Sequence, residues 1–132
     1  MSKIITLSEA ASIALHGMVL IAKTDHKLNV NQISEQINSS RHHVAKVFQR
    51  LAKENFVSSN RGPSGGFVLK KEPSEITLLE LYEVIEGPVE VQGCPGEKKD
   101  CPFNQCIMGD VAEVLACRFR DFLGQQKLSD YL

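Results

Sequence analysis

The sequence predicts a mainly α fold with a small β-hairpin, on three observations. Residues 30–38 form a short amphipathic segment with Val30, Ile33 and Ile37 facing inward, and after Ser39 and Ser40 a longer helical pattern covers residues 41–54. Short helix, tight turn and longer helix is the helix-turn-helix layout. Residues 56–60 and 67–70 are strand-like runs joined by Arg61-Gly-Pro-Ser-Gly-Gly66, whose glycines permit the positive φ of a tight hairpin. A long amphipathic pattern then runs from Ile107 to about Gly124. The expected architecture is a winged helix-turn-helix plus a long C-terminal dimerisation helix.

At 132 residues the chain fits one domain able to bury a core without disulfides. Residues 1–73 are expected to form the winged helix-turn-helix region, and residues 74–132 a helix, a cysteine loop and the dimerisation helix, in one compact unit. Thr6-Leu-Ser-Glu9 reads as a capping box opening the first helix, in which Ile13, Ala14, Met18, Ile21 and Ala22 repeat at helical spacing to about Lys23. Gly17 inside this helix lowers its propensity and points to a close approach by another element. Asn31 is the expected N-cap of the second helix, and Ser40 sits where the third needs one.

After Pro73, Thr77-Leu-Leu-Glu80 is a further capping box, and Leu78, Leu81, Tyr82 and Ile85 continue the apolar stripe until Gly87-Pro88. In the last helix Ile107, Val111, Val114, Leu115, Arg118 and Phe122 lie along one side, with Met108, Ala112, Phe119 and Leu123 also apolar. That surface is too wide for one small domain, and a second copy of the chain is its expected cover, giving a homodimer.

The net charge of −1 hides a sharp division. Residues 41–71 carry seven cations against one acid, a net of +6, whereas residues 72–113 carry ten acids against two lysines, a net of −8. The basic block is built to meet a polyanion. Within it, Val44, Val47, Phe48 and Leu51 form the core stripe of the longer helix. His42, Lys46, Gln49 and Lys53 point away from that stripe, flanked by Arg41, His43 and Arg50.

A helix of roughly 15 residues spans on the order of 22 Å and suits the major groove of double-stranded DNA. A solvated basic face explains the helix alone equally well. The hairpin tips the balance, because Arg61, stiffened by Gly62-Pro63, is placed to enter a minor groove.

Three of the four cysteines lie in Cys94-Pro-Gly-Glu-Lys-Lys-Asp-Cys101-Pro-Phe-Asn-Gln-Cys106, a stretch of turn-formers and charge without helical or strand period. The N-terminus has no basic-then-apolar leader, so a cytoplasmic location is expected. There, clustered cysteines are metal ligands or redox-active groups more often than structural disulfides. The longest apolar run, residues 13–22, is too short to cross a bilayer. No nucleotide or flavin motif marks an enzyme. Cys117 reads as a small buried hydrophobe, His16 as a satisfied polar group and His26 as a surface residue.

With these parts in this order, the chain resembles the IscR/NsrR-type iron-sulfur winged-helix regulators over nearly its whole length. The likeness is most specific over residues 51–70, above all in Phe56-Val-Ser-Ser-Asn-Arg-Gly-Pro-Ser-Gly-Gly-Phe67. It implies a dimeric bacterial transcription factor. Ser40, His42, His43, Lys46 and Arg50 match positions that contact DNA in such proteins, Arg61 matches the wing arginine, and Cys94, Cys101 and Cys106 match the cysteines of an iron-sulfur cluster, 2Fe-2S or 4Fe-4S.

The chain departs from that pattern in its C-x6-C-x4-C spacing and in lacking a histidine after the third cysteine. The acid that supplies a fourth ligand elsewhere in the family aligns with Ser12, leaving as candidates Asp110, Glu9, Ser12 and Cys117, from the same or the partner subunit, or a small exogenous thiol or water. Ala45 replaces an acid that restricts site choice in some relatives. The alternatives are a winged-helix regulator with a zinc or thiol-based sensor loop and, remotely, a small iron-sulfur electron carrier, which has no use for the basic helix or Arg61.

Overall fold

The computed structural model describes residues 1–97 and 100–132. Lys98 and Lys99, the two lysines of the acidic block and part of the cysteine loop, lie outside the described residues. Five α-helices and one two-stranded antiparallel sheet form the fold among the described residues.

Helix α1 spans Glu9–Lys23 and α2 spans Val30–Ile37. Their caps sit differently from the sequence expectation. Ser8, two residues after the expected Thr6, caps α1, its Oγ accepting from the Ala11 N–H at 3.0 Å. Asn29, two residues before the expected Asn31, caps α2 in a reciprocal box: Asn29 Oδ1 accepts from Gln32 N–H at 2.8 Å and Gln32 Oε1 from Asn29 N–H at 2.9 Å. In each case the winning residue satisfies a donor that the helix itself leaves unpaired.

Asn38 ends α2 in the left-handed conformation, φ 56°. The turn is completed by Ser40, whose Oγ accepts from His43 N–H at 3.2 Å to open α3, Arg41–Lys53. The expected core stripe is buried, with Val44, Phe48 and Leu51 fully inaccessible and Val47 nearly so. The close approach expected at Gly17 comes from α3: a Cβ there would lie 2.7 Å from two atoms of the Phe48 ring.

Strands β1, Val57–Asn60, and β2, Gly66–Leu69, form the wing, with Val57 opposite Leu69 and Asn60 opposite Gly66. The connection before α2, a polar link by its sequence, adds a short edge: Phe67 N–H donates to Leu28 C=O at 2.8 Å. Gly66 makes this possible, since a Cβ would sit 2.8 Å from the Leu28 oxygen. The wing is thereby fastened to the helix-turn-helix rather than projecting as a loose hairpin.

Helix α4, Leu78–Glu86, opens on the expected Thr77–Glu80 box, with Leu78, Leu81 and Ile85 buried, and stops at Gly87. Helix α5 spans Val111–Gln125 and begins four residues later than the sequence pattern suggests. Residues 106–109 instead turn, with Gly109 N–H donating to Cys106 C=O at 3.0 Å and Gly109 at φ 60°. The chain then returns to α4, where Leu78 N–H donates to Gln126 C=O at 2.9 Å and Leu128 N–H to Ile76 C=O at 3.0 Å. Leu128 is fully buried, and the short helical turn Leu128–Tyr131 packs against α1.

Helix α5 is poorly covered by its own chain. Leu123 is its one buried residue and Phe119 packs edge-on against Tyr82, with ring centroids 5.2 Å apart. Val111, Val114, Leu115 and Phe122 remain between 42 % and 56 % exposed. Among the described residues no helix is long and apolar enough to cross a membrane.

Candidate nucleic-acid interface and cysteine loop

Nine residues were expected at a DNA surface, and the fold sorts them by what their side chains already hold. Ser40 caps α3. Arg41 Nη1 donates to Asn31 Oδ1 at 3.2 Å, fixing the start of α3 against α2. His43 Nδ1 lies 3.2 Å from Glu9 Oε1 on α1. Arg50 does not simply project outward: its guanidinium donates to the C=O groups of Val84, at 2.5 Å, and Ile85, at 3.2 Å, at the end of α4.

His42, Lys46, Gln49, Lys53 and Arg61 are exposed. Among the described residues the side chains of Lys46, Gln49, Lys53 and Arg61 make no hydrogen bond or ion pair. Two more cations of the basic block serve the wing base, Lys70 Nζ donating to Asn55 Oδ1 at 3.1 Å and Lys71 Nζ lying 4.5 Å from the centre of the Phe56 ring. The available positive charge is therefore concentrated along one α3 face and at the mouth of the wing loop, a narrower footprint than the +6 of the segment.

The cysteine loop leaves α4 at Gly87 and rejoins regular structure at α5. Its first residues are fastened to α4, since Gly87 N–H donates to Glu83 C=O at 2.8 Å and Val89 N–H to Glu83 Oε2 at 2.9 Å. Beyond them the described residues form turns only, including Glu97 N–H to Cys94 C=O at 2.9 Å. Cys94, Cys101 and Cys106 are exposed thiols. Among the described residues no three His, Cys, Asp or Glu side chains converge as metal ligands. The donor chemistry suits an iron-sulfur group, and the described loop backbone is not locked into helix or strand.

The four fourth-ligand candidates lie on α1 and at or on α5. Glu9 is engaged with His43, and Ser12 Oγ lies 3.2 Å from His16 Nδ1, which also lies 2.7 Å from the Ser12 backbone oxygen. Asp110 precedes α5 without a capping hydrogen bond, and Cys117 is half-buried on α5. His26 is exposed beside Asp25, as a surface residue should be.

Sequence reasoning missed the junction at the end of α4. Ser8 Oγ donates to Glu86 Oε1, joining the α1 cap to the last residue of α4. The pairing of Glu86 and Arg50 with partners far along the chain has no local signal. Beside this junction a cleft of about 600 Å³ is lined by Ile4, Ile5, Tyr82, Pro88, Leu115 and Phe119. Burial there, and then the charge of Glu86, raise the Tyr82 phenol above its ordinary range.

A buried helix-turn-helix scaffold, a fastened wing and an exposed basic face together make a winged-helix fold whose shape and charge suit DNA. The chain belongs to the Rrf2 family of iron-dependent transcriptional regulators, whose model matches residues 7–132. An HTH-type transcriptional regulator of Aquifex aeolicus is 29 % identical over 129 residues, covering 95 % of this chain and 90 % of that protein. The HTH-type transcriptional regulator IscR of Photorhabdus laumondii is 32 % identical over 98 residues, 74 % of this chain but 60 % of its own length. Among solved structures, CymR, the global cysteine regulator of B. subtilis, superposes with TM-score 0.78 at 24 % identity over 96 % of this chain and 95 % of that one. IscR of T. potens gives TM-score 0.74 at 20 % identity, covering 96 % and 85 %. At these identities the two structures establish the fold.

Proposed function

We propose that this Rrf2-family chain acts as a homodimer on double-stranded operator DNA, with its affinity set by an iron-sulfur cluster held at Cys94, Cys101 and Cys106. Residues 1–73 supply the DNA-binding region and residues 74–132 the sensing and pairing region. The single observation that carries the reading is the loop itself: three exposed thiols joining α4 to the helix with an uncovered apolar face. When bound, the cluster supplies a group sensitive to redox state and nitric oxide.

The residues of the chain do the rest. His42, Lys46, Gln49 and Lys53 present donors and positive charge to a major groove, and Arg61 enters the adjoining minor groove. Val111, Val114, Leu115 and Phe122 meet their counterparts on a second copy, setting the spacing of two α3 helices near the ~34 Å separation of palindromic half-sites. Asp110, Glu9, Ser12 or Cys117 completes the ligand set. The cytoplasm, which keeps thiols reduced, is the fitting compartment.

The test is the iron and acid-labile sulfide content of protein purified without oxygen. Stoichiometric iron and sulfide are expected, falling by more than about half on replacing any one of the three loop cysteines by alanine, since each supplies one of a set of about four ligands. Three exposed thiols in one loop also support a second reading, a thiol-based sensor without a cluster. Protein free of iron and sulfide, yet altered in operator affinity by alkylation of its loop thiols, would establish that reading instead.

A further inference from the structure

We propose that Arg50, expected from sequence to contact DNA, is instead a positioning residue that transmits the state of the cysteine loop to the recognition helix. This rests on the proposed sensing role of the loop and extends it. Two sets of hydrogen bonds form a continuous path. The start of the loop is held by α4 through Val89 N–H and Glu83 Oε2 at 2.9 Å. The end of α4 is held by α3 through the Arg50 guanidinium on Val84 C=O and Ile85 C=O, at 2.5 and 3.2 Å.

Arg50 lies on the last turn of α3, two turns from His43 and one from Lys46, on the helix that carries the exposed basic face. The carbonyls to which it donates belong to the last helical turn before Gly87, where the unpaired oxygens and the helix dipole both favour a cation. A planar guanidinium bonded to two successive carbonyls fixes orientation as well as distance. Tension or release in the loop that follows Gly87 therefore reaches α3 as a change in where its end is anchored. The link from Ser8 Oγ to Glu86 Oε1 fastens the same α4 terminus to α1, so that movement there is resisted on one side and passed on through Arg50 on the other.

A direct DNA contact and an internal strut make different predictions. A side chain bonded to phosphate lowers the salt dependence of binding when removed, by about one in the slope of log K against log salt. A strut changes how much binding differs between two states of the loop, since coupling is the ratio of the affinities in those states.

The experiment uses the full chain and a duplex selected from a random pool by the protein itself. Operator affinity is measured for metal-free reduced protein, for protein reconstituted with ferrous iron and sulfide, and for protein alkylated with N-ethylmaleimide. Wild type is expected to differ at least ~5-fold between two of these states, the lower end of ordinary coupling. R50Q is expected to shrink the ratio to below about 2-fold with the salt slope retained, and R50K, which keeps the charge but not the two-pronged geometry, to fall between. E83A, on α4 and not on the α3 face or the wing, removes the loop's tie and is expected to reduce the ratio with metal-free affinity unchanged; it serves if R50Q proves too unstable to measure.

If wild type responds and both R50Q and E83A respond as strongly, the relay is wrong while the sensing role stands. A slope lowered by about two in R50Q, one for each Arg50 of the dimer, with the ratio intact, would place Arg50 on the DNA. If wild type shows no difference between any of the states, the sensing role fails and the relay fails with it.

Discussion

Replacing Lys46 and Arg61 together by alanine is expected to lower affinity for a selected operator duplex by at least ~100-fold, as measured by fluorescence anisotropy. Each well-formed base contact is worth ~1–3 kcal/mol, and a symmetric dimer forfeits each one twice. These two side chains are exposed, and among the described residues make no hydrogen bond or ion pair within the chain. Their removal should therefore leave the fold intact. The salt slope should also fall, by about one for each phosphate that is no longer neutralised. Lys70 and Lys71 offer the contrast: they are bonded to Asn55 and stacked on Phe56, and alanine there should loosen the wing base more than it weakens the hold on DNA. Unchanged affinity in K46A/R61A would put the DNA on another surface.

The second large effect concerns α5. Val114 is 48 % and Phe122 56 % exposed within one chain, so aspartate at both positions adds charge where the monomer leaves the side chains in water. Burying a large apolar side chain contributes ~1.5–3 kcal/mol, and a two-fold interface counts each side chain twice. V114D/F122D should be a monomer by sedimentation at micromolar concentration, with near-wild-type helical content. Because two half-sites are no longer joined, operator binding should weaken by at least ~100-fold. A double variant that sediments as a dimer, or a monomeric wild type, would remove α5 as the pairing surface.

The architecture was legible in the sequence because its signals are local and mutually consistent. The Val44, Val47, Phe48, Leu51 stripe, the Thr77–Glu80 box and the glycine-rich hairpin each specify one element through interactions within a few residues, and all three appear in the fold. Gly17 was legible too, as a gap that Phe48 fills. Cap positions were harder, since Thr6 and Ser8, or Asn29 and Asn31, carry equally suitable side chains and the choice depends on where the preceding chain comes from.

The start of α5 differs from the sequence pattern because Ile107 and Met108 fit the apolar period, yet Gly109 adopts a positive φ that breaks the helix. The candidate site divides in the same way. The outward face of α3 follows from helical geometry, so Lys46, Gln49 and Lys53 emerge as expected. Arg50 could not be placed from the sequence, because its partners are carbonyls 34 and 35 residues away and any helix end can offer them. The return of residues 126–128 to α4 is equally non-local, a backbone pairing with no side-chain signature.

The most direct test of gating is the operator affinity of anaerobic wild-type protein before and after nitric oxide, with the C94A, C101A and C106A variants alongside. A change of at least ~5-fold in wild type, absent in the variants, is the expected result. Equal affinity before and after treatment, in protein shown to contain iron and sulfide, would contradict control of DNA binding by the cysteine loop.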